Sequence, residues 1–134
     1  MGVEAILETC LYATDLAAAE RFYAEVLGLP FLSRVVGRHV FFRCGPGVFL
    51  VFSPMATSSA AGFPAHGATG PGHVAFRIPA GDFAQWRERL RSHDVAIEAE
   101  VNWPGGGHSI YFRDPEGNSV ELASAAVWGL EEEK

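Results

Sequence analysis

The sequence predicts an α+β fold made of two modules, each with the order strand, helix, strand, strand, strand. Apolar residues recur every three or four positions over Leu16–Leu27 and from Asp82 to about Ser92, which predicts one helix in each half. One alternating stretch precedes each helix and three follow it. The last two strands of each half are joined by similar segments, Phe42–Gly47 and Phe112–Gly117, whose Pro and Gly residues are typical of tight turns.

The first module is predicted to extend from about residue 1 to residue 54. Its helix begins after Thr14 or Asp15, either of which can cap it, and ends before Gly28, where a left-handed residue is expected. The strand before the helix is Ala5–Ala13. The strands after it are Phe31–Val36, His39–Cys44 and Val48–Ser53.

The second module is predicted over about 72–126, with the segment 55–71 as a linker or mobile flap and 127–134 as a C-terminal tail. The linker is rich in Ala, Gly, Ser and Pro and shows no periodicity. One module is too small to bury both a sheet face and its helix, so a single domain of two modules is expected. The second module's strands are predicted at His73–Pro79, Val95–Trp103, Ser109–Arg113 and Ser119–Ala123.

Composition excludes several classes of function. The net charge is −6 and the few arginines are scattered, which argues against nucleic-acid binding. There is no apolar run of membrane-spanning length and no signal-peptide pattern, so a cytoplasmic location is expected. The two cysteines, Cys10 and Cys44, form no CxxC pair and are expected to be reduced thiols.

Alternation along three strands places one possible metal ligand on the face opposite the apolar one. These ligands are Glu8, His73 and Glu121. Two carboxylates that converge on one cavity repel each other and are costly to bury, and a divalent cation removes both problems. The pattern alone also allows exposed side chains, or pairs with arginines such as Arg77 or Arg113.

Several stretches of the chain resemble the vicinal oxygen chelate superfamily, which includes glyoxalase I, fosfomycin-resistance enzymes, extradiol dioxygenases, methylmalonyl-CoA epimerase and bleomycin-binding proteins. The resemblance implies that the two βαβββ modules form an open cup-shaped mixed sheet with the helices outside, a glyoxalase-like domain over 1–134. The stretches are Ala13–Leu16, Arg21–Tyr23, Val26–Leu29, Gly72–Phe76, Tyr111–Asn118 and Val120–Leu122.

The resemblance also implies one divalent metal ion (Mn, Fe, Zn, Co or Mg), bound by Glu8, His73 and Glu121. The fourth ligand of glyoxalase-like members falls here on Phe49 or Leu50, which cannot coordinate a metal. Branches with three ligands usually carry His at the position of Glu8, so this residue departs from the pattern. Glu8 and Glu121 are the candidate catalytic residues, since a carboxylate can accept a proton next to a carbonyl.

A substrate pocket is expected along the cup wall and beside a flexible loop, Trp103–His108, that contains three glycines. Arg77 is expected either to bind an anionic substrate group or to pair with Glu8 or Glu121. His108 is either an acid–base group or an exposed loop residue, and His39, His66 and His93 are weaker candidates. The expected pocket residues are Cys10, Tyr12, Phe41, Leu50, Phe52, Ala75, Arg77, Trp103, His108 and Tyr111.

The resemblance favours a metal-dependent lyase, isomerase or dioxygenase that acts on a small oxygen-chelating substrate and forms a homodimer. A metal-free drug- or metabolite-binding resistance protein is the alternative. Fosfomycin resistance is less expected because no arginine follows Glu121. Extradiol cleavage is disfavoured by Glu8, and glyoxalase I by the missing fourth ligand. Whether the site is formed within one chain or across a dimer stays open.

Overall fold

A computed structural model describes residues 1–59 and 62–132. The chain divides into two compact units, Met1–Gly70 and Pro71–Lys134. Each unit contains one four-stranded mixed sheet with the helix between its first and second strands. This arrangement confirms the predicted α+β class with two βαβββ modules. No helix in the described ranges is long and apolar enough to span a membrane.

The sheet of the first unit has the strand order β1-β4-β3-β2, with β1 parallel to β4 and the other pairs antiparallel. Helix α1 continues directly into a π-helical turn, and a short helix α2 follows the last strand. The elements are β1 (Glu8–Tyr12), α1 (Leu16–Arg21), the π turn (Phe22–Val26), β2 (Phe31–Val35), β3 (His39–Cys44), β4 (Gly47–Phe52) and α2 (Pro54–Thr57).

Helix α1 begins and ends where the sequence predicts. The Asp15 carboxylate accepts a hydrogen bond from the Ala18 backbone N–H at 3.0 Å, and Gly28 has φ +72°. The chain is helical over nearly the whole predicted range, to Val26, but its second half winds as the π turn, and Tyr23 lies in the core. The Tyr23 ring lies 4.9 Å from Phe49 and 5.9 Å from Phe42. This aromatic contact fixes which sheet face the helix covers.

The sheet of the second unit repeats this topology, with the order β5-β8-β7-β6 and β5 parallel to β8. Its core consists of large apolar side chains that are 0–1% exposed: Leu90, Ile110, Phe112, Val120 and Leu122. The elements are β5 (His73–Arg77), a 3₁₀ turn (Ala80–Asp82), α3 (Phe83–Ser92), β6 (Ala99–Asn102), β7 (His108–Arg113), β8 (Ser119–Ala123) and a second 3₁₀ turn (Ala125–Trp128).

The segments between and after the modules hold more structure than predicted. The predicted linker includes most of α2, and the His66 N–H donates to the Thr57 carbonyl at 2.8 Å. The predicted tail begins inside the turn Ala125–Trp128, and the Glu132 carboxylate accepts from the Ala80 N–H at 2.9 Å. Residues 60, 61, 133 and 134, which belong to the predicted linker and tail, lie outside the described residues.

The turn between β7 and β8 is held by buried side chains. Asp114 is 5% exposed and accepts hydrogen bonds from the N–H groups of Glu116 and Asn118 and from the Asn118 amide. The side-chain amide oxygen Oδ1 of Asn118 accepts in turn from the Gly72 N–H at 2.7 Å. Because Gly72 directly precedes His73, the turn also fixes the start of β5.

We expect Asn118→Ala to destabilise the fold, because it leaves the Gly72 N–H and one Asp114 oxygen without this buried partner. Each such loss costs about 1–3 kcal/mol. Urea unfolding followed by circular dichroism measures the change. Asn102→Ala, at a more exposed Asn that bonds to His108, is the control and should cost less than half as much. Equal losses in the two variants would contradict the role given to Asn118.

Candidate metal and substrate site

The two sheets have equivalent register, so positions in one can be matched to positions in the other. Glu8 pairs with Val48 at the start of β1, as His73 pairs with Ser119 at the start of β5. Two residues further, Cys10 pairs with Leu50, as Ala75 pairs with Glu121. Glu8 is therefore the counterpart of His73, and Leu50, not Phe49, is the counterpart of Glu121.

In each unit the helix covers one face of the sheet, and the opposite face is called here the site face. In the first unit Tyr23 packs on the Phe42 and Phe49 side, so Leu50 lies on the site face. In the second unit the Phe83 ring contacts His108, so Ser109 and its register partner Ala123 lie on the site face. The site faces carry the candidate ligands.

The ring of His73 is oriented by the backbone of the neighbouring strand. Its Nδ1 lies 3.1 Å from the Ser119 carbonyl oxygen, which can only accept, so Nδ1 carries the proton. In the neutral ring Nε2 then bears a lone pair. That Nε2 lies 3.3 Å from Oε1 of Glu121. Metal-binding histidines typically donate their other ring N–H to a carbonyl in this way.

Glu121 is held on its other side by a chain of two hydrogen bonds. The Trp103 indole N–H donates to Ser109 Oγ at 2.9 Å, and because indole can only donate, the Ser109 hydroxyl is left to donate onward. It donates to Oε2 of Glu121 at 2.6 Å. Glu121 is 7% exposed and Ser109 is fully buried. Oε2 of Glu121 therefore already accepts a hydrogen bond from Ser109, and Oε1 is the oxygen turned towards His73.

Tyr111 is the register partner of Glu121 on β7. Its ring is nearly parallel to that of His73, with centroids 6.4 Å apart. Burial, followed by the negative charge of Glu121, raises the pKa of the Tyr111 phenol. The phenol therefore stays protonated at neutral pH and can donate a hydrogen bond. Four predicted site residues of the second unit, His73, Trp103, Tyr111 and Glu121, thus come together.

Two expectations about the loop before β7 are wrong. The predicted flexible loop is a hydrogen-bonded turn, because Gly106 N–H donates to the Trp103 carbonyl and Trp103 N–H to the Gly107 carbonyl. Gly107 has φ +88°, and a Cβ there would lie 2.4 Å from the Val127 nitrogen, so no other residue fits. His108 is not a loop residue but the first residue of β7.

His108 also lies on the helix face, not on the site face. Its Nδ1 is 2.7 Å from Asn102 Oδ1, and its Nε2 is 2.8 Å from Glu100 Oε1. Glu100 accepts from Arg87 as well, and these two partners, Arg87 first, lower the pKa of the Glu100 carboxyl. This cluster joins α3 to the sheet. Because His108 faces the helix and not the site face, its position does not support the predicted contact with substrate.

The third predicted ligand lies in the other unit. Glu8 is the first residue of β1 and lines a cavity on the site face of the first unit. In neither unit do the described residues include three His, Cys, Asp or Glu side chains placed to hold a metal ion. The three-residue set Glu8, His73 and Glu121 stays a prediction. Of the other predicted substrate contacts, Cys10 lies two residues after Glu8 on β1, and Arg77 is the last residue of β5.

The site face of the first unit forms an open cavity of about 840 Å³, within the range of ~300–1,000 Å³ common for small-molecule sites. Phe41, Leu50 and Phe52, all predicted, line it, whereas Arg38 and Phe63 were not foreseen. The full lining is Leu7, Glu8, Leu32, Val35, Arg38, His39, Phe41, Val48, Leu50, Phe52, Phe63, Pro64 and His66.

Two histidines rated as weak candidates contribute to this cavity. His39 is 8% exposed, stacks on Phe41 with ring centroids 3.7 Å apart, and has its Nδ1 2.6 Å from an Arg38 nitrogen. His66, from the predicted linker, has its Nδ1 2.6 Å from the Tyr12 hydroxyl. The equivalence of His39 with Ser109 in the sheet register is the signal that could have indicated the first.

The sequence matches the family model of the Glyoxalase/Bleomycin resistance protein/Dioxygenase superfamily over residues 5–122. The chain belongs to this superfamily. The match covers nearly all of both modules, and the strand order of each sheet agrees with it. The expectation drawn from the sequence resemblance is therefore confirmed at the level of family and fold.

Individual members of the glyoxalase superfamily resemble the chain to different degrees. The crystal structure of lactoylglutathione lyase from Agrobacterium tumefaciens is 41% identical with a TM-score of 0.92, over 97% of this chain and 100% of that one. Fosfomycin resistance protein FosX from Mesorhizobium loti has a TM-score of 0.66 at 22% identity, over 92% of this chain and 93% of that one, which shows the fold alone.

A curated relative from Bacillus subtilis is named "Putative ring-cleaving dioxygenase MhqE" and is 28% identical over 141 residues. The alignment covers 98% of this chain and 45% of that protein. The chain thus spans about half the length of this relative.

We expect Arg38→Gln to raise the pKa of His39. Burial, followed by the positive charge of Arg38, lowers that pKa, so removing the charge leaves only burial to lower it. NMR titration of histidine ring resonances, assigned with His39→Gln, measures the shift. Arg34→Gln is the control, because Arg34 pairs with Glu20 at 2.8 Å. An unchanged His39 pKa in Arg38→Gln would count against the contact.

Proposed function

We propose that the chain is a divalent-metal-dependent enzyme that acts on a small oxygen-chelating substrate, with Glu8, His73 and Glu121 as the metal ligands. The observation that carries this proposal is the pair formed by His73 Nε2 and Glu121 Oε1, 3.3 Å apart. Both atoms present a lone pair, because Nδ1 carries the imidazole proton and donates a hydrogen bond to the Ser119 carbonyl. A cation bound between Nε2 and Oε1 accepts the lone pairs of both atoms. The alternative is a second proton on His73, which Nε2 would donate to Oε1 in a hydrogen bond.

The donor set fits a divalent ion. One imidazole nitrogen and two carboxylates neutralise a 2+ charge, and such oxygen-rich ligation suits Mn, Fe, Co, Zn or Mg. Glu8 joins the set because it occupies in β1 the register position that His73 occupies in β5. Leu50, at the position equivalent to Glu121, offers no fourth ligand, which leaves room for water or substrate in the coordination sphere.

The chemistry divides between the metal and the residues around it. When bound, the metal acts as a Lewis acid that polarises the oxygens of a chelating substrate. Ser109 restrains Oε2 of Glu121, so Oε1 is the oxygen on this side that would bind the metal. It would accept a proton from a carbon next to a carbonyl only when it is not bound to the metal. Glu8 is the second candidate base. Tyr111, kept protonated by its raised pKa, donates a hydrogen bond to a substrate oxygen.

The relatives support an enzyme of the lyase or dioxygenase kind. The name of the Agrobacterium structure is that of a lyase, and the name of the Bacillus protein is that of a dioxygenase. The higher identity and complete mutual coverage of the first favour the lyase kind. Dimer formation and a cytoplasmic location stay predictions from the sequence resemblance.

A metal-free binding protein is the second candidate. The aromatic wall of the first unit's cavity, with Phe41, Phe52 and Phe63, favours it, because such a surface can retain a drug or metabolite without chemistry. The two candidates differ in metal content, which is measurable without knowing the substrate.

We expect protein purified without chelator to contain about one divalent ion per chain. Glu8→Gln and Glu121→Gln each remove a charged ligand and should lower the affinity for Mn²⁺ or Zn²⁺ at least tenfold. Elemental analysis and calorimetric titration of chelator-treated protein with each metal give the two numbers.

The control for these variants is Glu100→Gln, because Glu100 bonds to Arg87 and His108 on the helix face. It should keep the wild-type metal affinity. Full metal content in both Glu8→Gln and Glu121→Gln would refute the proposed ligand set. Absence of metal in the wild type would favour the binding protein instead.

We further expect Ser109→Ala to weaken metal binding about 10–100-fold, the usual effect of losing a hydrogen bond that orients a ligand. Ser119→Ala is a matched control: the substitution keeps the main-chain carbonyl that accepts the hydrogen bond from His73 Nδ1, so affinity for the metal should hold. Calorimetric metal titration separates the two. If Ser109→Ala binds metal like the wild type, the hydrogen bond to Oε2 does not orient Glu121 for coordination.

A further inference from the structure

We propose that the site face of the first unit binds an aromatic carboxylate, with the carboxylate on Arg38 and the ring among Phe41, Phe52 and Phe63. This inference deepens the proposed function, because it names the substrate class of the same enzyme. Binding of the carboxylate to Arg38 does not itself require a metal ion. The two proposals can therefore fail separately.

The walls of the cavity favour a flat apolar ring. His39 already stacks on Phe41, with an interplanar angle of 7°, and the edge of Phe52 faces His39 with centroids 5.9 Å apart. Aromatic rings set in fixed, mutually perpendicular orientations bind another ring by stacking and edge contacts at little entropic cost. Leu50 extends the same apolar wall.

Arg38 supplies the positive charge of this cavity. Its guanidinium carbon lies 5.5 Å from the Phe52 ring centroid and 5.8 Å from that of Phe63. One N–H donates to His39 Nδ1, and because a guanidinium has five N–H groups, others stay available for a ligand. The planar fork of donors matches a carboxylate, which it binds through two parallel hydrogen bonds.

The charges of the cavity are separated along β4. Among the described lining residues Glu8 is the acidic one and Arg38 the permanently basic one. Glu8 pairs with Val48, whereas Arg38 lies over Phe52. Four residues of strand separate these positions, about 13 Å at ~3.3 Å per residue. An anionic group is therefore drawn to the Arg38 end of the cavity and away from the Glu8 end.

The Arg38 end of the cavity is also the end that the linker segment borders. His66 lies 2.6 Å from the Tyr12 hydroxyl and has its ring edge-on to Phe52 at 4.8 Å. Phe63 belongs to the same segment and contacts the Arg38 guanidinium. A carboxylate here would lie between the sheet and the linker, on a side that stays open to water because Phe63 is 69% exposed. Its pairing with Arg38 therefore depends on the two parallel hydrogen bonds rather than on burial.

The experiment uses trans-cinnamate as the probe and cinnamyl alcohol as its uncharged analogue. Binding to the full chain is measured by calorimetry, both in chelator and with added Mn²⁺, and the site is located by NMR shift mapping. We expect cinnamate to bind at least tenfold more tightly than the alcohol, with shifts at residues 38–41, 50–52 and 63–66. Arg38→Gln should reduce cinnamate affinity to that of the alcohol, and Arg38→Lys should give an intermediate value.

Arg34→Gln, which removes a paired arginine of the same hairpin, should leave cinnamate affinity unchanged. Thermal melting of each variant verifies folding, and if Arg38→Gln is unfolded, the Lys variant carries the test. Equal affinity for the acid and the alcohol, no binding of either, or equal loss in both arginine variants would overturn the proposal. Cinnamate binding in chelator by a protein that takes up no metal would uphold the carboxylate site and refute the metal site alone.

Discussion

The parallel pairing of the first and last strands of each module is the constraint on which the candidate site depends. Parallel neighbours need a long crossover, which the helix and the antiparallel strands between them provide. In the second unit the pairing β5–β8 puts His73 beside Ser119 and sets Glu121 two residues further along β8, on the same face. The hydrogen bond from Nδ1 of His73 to the Ser119 carbonyl exists only because of this register.

The two units use one backbone plan for different purposes. At two register positions the second unit carries a carboxylate or a phenol where the first unit carries an apolar side chain: Leu50 replaces Glu121, and Phe41 replaces Tyr111. At these positions the second unit offers a proton acceptor and a donor, whereas the first offers apolar side chains, with Glu8 and Arg38 elsewhere on its cavity wall. Under the proposed function, this division would separate the chemistry of a substrate from the recognition of its body.

Local patterns were sufficient to predict much of this fold. β3 and β8 have the predicted bounds, and Asp15 and Gly28 act as the predicted helix signals. Alternation also put His73 and Glu121 on one face, because period-2 patterning is a local property of strands. The sequence did not identify Arg38, His39 and His66 as residues of one cavity. This cavity forms where the linker packs on the sheet, and a local pattern does not tell where a linker packs. His108 was misassigned because the glycines beside it suggested mobility, whereas main-chain pairing with Asn102 and Ser124 extends the strand.

The close approach of Gly107 to Val127 has a practical meaning for anyone who handles this protein. The C-terminal 3₁₀ turn rests on the glycine turn, and Ser124 exchanges main-chain and side-chain hydrogen bonds with His108. Trp103, which begins that glycine turn, leads through Ser109 to Glu121. The residues after β8 thus support the glycine turn and, through Trp103 and Ser109, the position of Glu121. An affinity tag or a truncation should therefore be placed well beyond Trp128.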